Sequence, residues 1–71
     1  MIIERNEDKI LKLYKMTLGD QHHELIRYGH IKADVSCNDY AGSYRTMVFD
    51  YYGSKWFMHL YNGMVMDIHE V

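Results

Sequence analysis

Seventy-one residues, 48% of them hydrophobic and 25% charged, bound one small domain and exclude an unfolded chain. A chain of this length buries only about 60% of the surface it exposes when unfolded, so a single core is marginal. Formal charge is −2 and Cys37 is the only cysteine, which excludes an intramolecular disulfide and suits a reducing compartment.

Charge is unevenly spread. Residues 1–37 carry six acids and six bases, whereas residues 38–71 set Asp39, Asp50, Asp67 and Glu70 against Arg45 and Lys55. A sparsely charged, slightly acidic second half has the wrong sign for gripping phosphates. No basic segment leads into an apolar run, and no run is long enough to span a bilayer. The expected location is the cytoplasm.

In chain order, Asn6 followed by Glu7 and Asp8 predicts a helix start, with a side-chain cap and then acids where the helix dipole favours them. Ile10, Leu13, Tyr14, Thr17 and Leu18 fall on one helical face, Lys9, Lys12 and Lys15 lie away from it, and Gly19 is the expected C-cap. Asp20 can cap a second, shorter helix through QHHELIRY, closing at Gly29, with Leu25, Ile26 and Tyr28 as its apolar contacts. The same letters could also open a strand. From Ile31 the period becomes two: Ile31, Ala33, Val35 and Cys37 alternate with polar residues, as in a half-buried strand. YRTMVFDYY, KWFMHLY and MVMDIHEV read as three more strands.

Turn chemistry sets which side chains share a face. A two-residue loop at Gly53-Ser54 would pair Tyr51 with Trp56, Phe49 with Met58 and Met47 with Leu60. At Asn62-Gly63, a two-residue turn would bury Asp67 beside those residues. A three-residue loop, Tyr61-Asn62-Gly63, avoids an unpaired buried charge and is the form expected. The core face then holds Met47, Phe49, Tyr51, Trp56, Met58, Leu60, Met64, Met66 and Ile68, and the helix lies across it.

The opposite face carries Thr46, Val48, Asp50, Tyr52, Phe57, His59, Tyr61, Val65, Asp67 and His69. Val48, Tyr52, Phe57, Tyr61 and Val65 form a patch too apolar for a solvated sheet face, and such patches often mark interaction sites. Three covers stay open: the chain's own MIIER segment or second helix, a second copy, or a different protein.

Catalytic signals are weak. His59, Asp67 and His69 share a face and could hold a divalent ion, with His59 diagonal to Asp67, but no HxH or HExxH spacing supports them. A small ribonuclease using His59 and His69, with Lys55 or Arg45 on the phosphate, would have to work on an acidic sheet. Phe57 and Tyr61 could stack unpaired bases, or MTLGDQHHELIRYG could form a helix-turn-helix; both lack a basic stripe. Cys37 has no catalytic partner fixed by spacing, and packing explains it.

The expected fold class is therefore α+β: an N-terminal amphipathic helix, with a short second helix, packed on a four-stranded antiparallel β-meander. The expected function is non-catalytic protein binding through Val48, Asp50, Tyr52, Phe57, His59, Tyr61, Val65 and Asp67, without cofactor or metal, the partner being a protein or a second copy in a homodimer. In size and composition alone the chain is similar to small inhibitor proteins carried by phages and mobile elements. No segment matches a motif of theirs.

Overall fold

The computed structural model describes residues 5–71, and the MIIER segment, one of the covers left open for the second sheet face, falls for residues 1–4 outside the described residues. Asn6 opens α1 (Glu7–Lys15) as expected, its side-chain oxygen accepting from the Lys9 amide at 3.1 Å. Ile10 and Leu13 are buried. The helix does not reach Gly19. Met16 and Thr17 are both extended, and Thr17 instead occupies the N-cap position of α2 (Leu18–Tyr28), where its hydroxyl donates to Asp20 Oδ2 at 3.0 Å. A β-branched residue favours this extended hinge over a continued helix. Asp20 thus lies in the first turn of α2 rather than before it, and Leu18 falls on the second helix, 43% exposed.

Gly29 ends α2 as expected. A Cβ there would stand 2.6 Å from the Leu25 carbonyl and 3.4 Å from the Asp50 carbonyl, so the missing side chain lets the helix end press onto the sheet. Of the contacts expected from α2 only Leu25 is buried; Ile26 and Tyr28 each stay about half exposed. Gln21 is the second buried residue of the helix, its side-chain amide donating to the Leu13 carbonyl at 2.8 Å and tying α2 to α1.

Four antiparallel strands follow: β1 (His30–Asp39), β2 (Gly42–Tyr51), β3 (Ser54–Tyr61) and β4 (Met64–Glu70), in the spatial order β1-β2-β3-β4. The fold is two helices on a four-stranded meander, an α+β architecture. The first turn is shifted and the second is tighter than expected. Tyr52 and Gly53 have positive φ (47° and 80°) and make the two-residue loop, so Tyr51 pairs with Ser54 and Phe49 with Trp56. That is a slip of two residues, which leaves every side chain on its expected face.

Asn62 and Gly63 (φ 49° and 79°) also form a two-residue turn, not the three-residue loop. The carboxylate argument is met further along, by a β-bulge: Leu60 pairs with Val65 but His59 with Asp67, leaving Met66 as the extra residue. The bulge moves from the turn into the strand.

The core consists of Ile10, Leu13 and Leu25 from the helices against Met47, Phe49, Tyr51, Trp56, Met58, Leu60 and Ile68 from the sheet. Met64 and Met66, expected inside, are 60% and 54% exposed. In β1 all ten residues are exposed, which overturns the half-buried reading of Ile31, Ala33, Val35 and Cys37. The reason is reach. The helices cover the centre of the sheet, and the β1–β2 hairpin runs out beyond them in a molecule measuring 43 × 27 × 19 Å.

Candidate interaction face

Cross-strand partners share a face, so the registers define the side opposite the helices. Ala33, Val35 and Cys37 of β1 stand opposite Val48, Thr46 and Tyr44 of β2. Val48 and Thr46 stand in turn opposite Phe57 and His59 of β3, and these opposite His69 and Asp67 of β4. Tyr61 pairs with Tyr44 and Met64. Both helices pack on the other face. On this outer face Tyr44, Val48, Phe57, His59 and Tyr61 are each half-buried by their neighbours alone.

Six of the eight residues predicted for the patch lie here: Val48, Asp50, Phe57, His59, Tyr61 and Asp67. Two do not. Tyr52 sits in the β2–β3 turn, where its carbonyl accepts from the Asn6 amide at 3.1 Å and its ring meets the buried Tyr51 edge-on at 4.7 Å. Val65 turns to the helix side and packs against the core, because the two-residue Asn62-Gly63 turn pairs it with Leu60. In their place come Tyr44, legible by extending the β2 alternation two residues back, and Ala33, Val35 and Cys37 of β1, whose alternation reads as a half-buried strand.

The aromatic side chains are held in place. Tyr61 donates to the Ala41 carbonyl at 2.7 Å, its ring lies against Gly42, and Tyr44 packs beside it at 5.0 Å between centroids. The Phe57 ring stacks on His69 (5.0 Å, 28°) and lies nearly parallel to His59 (6.5 Å, 8°). Around them Lys32 reaches Asp50 at 3.4 Å, and His69 Nδ1 lies within hydrogen-bond distance of Asp67 Oδ2, at 2.8 Å. The centre is apolar and aromatic with paired charges at its margin, the composition of an interface core and rim.

His59 stands directly opposite Asp67, not diagonal to it, and its Nδ1 lies 3.2 Å from Thr46 Oγ1. Among the described residues no group of three His, Cys, Asp or Glu side chains is placed to hold a metal ion. Surface concavities are lined by Arg5–Asp8 with Tyr52, by the exposed side of α1, and by Asp50 with Gly53–Lys55; neither His59 nor His69 lines them. Cys37 is exposed on β1, not packed.

Glu70 is a cluster the sequence did not reveal. Its side chain, 15% exposed, accepts from Tyr14 at 2.7 Å, from the buried Ser54 hydroxyl and from Arg5 at 2.9 Å. The Ser54 hydroxyl most of all, then Tyr14 and Arg5, hold its carboxyl below the usual carboxylate range. Burial raises the Tyr51 hydroxyl pKa, as does the hydrogen bond that hydroxyl gives Glu24 at 3.0 Å. Both arrangements tie helices to the sheet on the core side.

Comparison with protein-family models, with curated proteins and with solved structures found no match to this chain. Among the described residues, no helix is long and apolar enough to cross a membrane.

Proposed function

We propose that this chain is a small non-catalytic binding module of the cytoplasm that acts by occupying a surface of another protein with the outer face of its sheet. One observation carries the reading: both helices lie on one side, while the other side presents the cross-strand pairs Val48–Phe57 and Tyr44–Tyr61, with Thr46–His59 between them. Phe57 and Tyr61 are the anchors, His59 stands between them, and Asp50 and Asp67 set register at the margin. The mode of action is steric, as in the small inhibitors carried by phages and mobile elements.

Nucleic acid is the less well supported partner. The carboxylates on the face with Phe57 are Asp50, held by Lys32, and Asp67, the wrong sign for a phosphate backbone. Hydrolysis is less supported still, since the two imidazoles sit on an open sheet face and line none of the concavities described above.

The test is retention of a binding partner by the immobilised chain, comparing wild type with Phe57→Ser on the outer face and Leu11→Ser on the exposed side of α1. A partner kept by wild type and Leu11→Ser but lost by Phe57→Ser is the expected result. A partner lost by Leu11→Ser and kept by Phe57→Ser moves the binding surface to α1 and ends this reading. A short single-stranded RNA titrated at low salt is expected to leave the chain unshifted.

A further inference from the structure

The sheet has a second uncovered surface, its β1 edge. β1 spans ten residues, every one exposed, with no proline and a single bulge at Lys32, so Ala33–Asp39 is a regular run. Long regular edges offer unpaired backbone groups to another strand, and proteins usually blunt them. Here the blunting is slight. Asp34, the acid inside the run, is already neutralised by Arg45, which grips it with two hydrogen bonds of 2.8 and 2.6 Å.

We propose that two copies of this chain join through this edge, β1 against β1′ antiparallel about a two-fold axis at Ser36, forming one eight-stranded sheet. Ser36 is the midpoint of the regular run. That register sets Val35 opposite Cys37 of the second copy on the outer face, and Asp34 opposite Asn38 rather than opposite another carboxylate. It also sets Ala33 of one strand opposite Asp39 of the other, whose carboxylate already accepts from the Ala41 and Gly42 amides, so no two carboxylates face each other across the seam.

Area supports the pairing. The chain exposes 5114 Å², against about 4,650 Å² expected for a folded monomer of 8.5 kDa. The excess, about 460 Å² per chain and about 930 Å² for a pair, lies below the ~1,200 Å² of standard interfaces and fits a weak, reversible dimer. The elongation has the same origin, since a radius of gyration of 12.8 Å exceeds the roughly 11 Å of a compact chain this long. The inference does not rest on the outer-face reading. Edge pairing leaves that face free and joins two of them into one continuous surface.

Light scattering of the full chain at micromolar concentration is expected to give a dimer, and a short bis-maleimide is expected to link the Cys37 pair, which lie diagonal to one another at about 7–8 Å. Val35→Pro and Ser36→Pro separate the edges. Successive amides of a strand point to opposite sides, so one of the two prolines faces β2 and the other the free edge, where proline is tolerated. The variant that keeps its circular dichroism is expected to weaken dimerisation about tenfold or more, and Phe57→Ser is expected to leave the dimer intact. A chain that stays monomeric, a dimer that gives no Cys37 crosslink, or a dimer lost in Phe57→Ser but kept in the folded proline variant overturns the proposal.

Discussion

At the scale of single residues, Glu70 does the most to hold the layers together. It accepts from Tyr14 on α1, from Ser54 at the start of β3 and from Arg5 ahead of α1. Replacing it by Gln removes the charge that all three donors address, and the expected cost is about 1–3 kcal/mol of stability at neutral pH. The sign with pH follows from the depressed carboxyl. A carboxylate whose folded pKa lies below its unfolded value contributes fully above about pH 4.3 and loses that contribution as pH falls through the folded value. The gap between wild type and Glu70→Gln in urea midpoints is therefore expected to be widest near neutrality and to close in acid. Nothing in the local sequence marks Glu70, because its three partners lie 16 to 65 positions away.

At the scale of elements, local chemistry named each one and erred at the joints. The Asn6 cap and the Ile10–Leu13 spacing specify α1, and these are short-range effects that any fold would respect. Where α1 stops was decided by Thr17, which caps α2 while the apolar stripe still suggested continuation. The hairpins teach the same lesson. Both turns take two residues, and the Met66 bulge restores the faces that a strict alternation would have crossed. Met66, at that bulge, separates the two registers experimentally. Leu13→Ala, in the core, is expected to lose about 2–5 kcal/mol, while Met66→Ala is expected to stay within about 0.5 kcal/mol of wild type in the same chemical denaturation. A core contribution from Met66 would restore the three-residue turn. Parity survived the slip at Tyr52-Gly53, which is why Phe57, His59 and Tyr61 lie on the outer face as predicted even though each partner is shifted.

At the scale of the whole molecule, protection should be graded. β2 and β3 are paired on both sides and carry most of the buried sheet residues, so their amides are expected to exchange only by global unfolding. The free-edge amides of β1 are expected to exchange quickly in dilute solution and to gain protection as concentration rises, a pattern that amide exchange followed by mass spectrometry resolves segment by segment. Composition, capping and alternation by themselves determined an α+β chain with a helix at its start, a four-stranded meander at its end and a sheet apolar on two sides, because those signals act within a few residues. Only the tertiary structure decided that both helices settle on one face, that Val65 turns inward and Tyr52 into a turn, and that β1 is left bare. Those outcomes depend on how far two short helices can reach across a sheet, a length that side-chain periodicity does not encode.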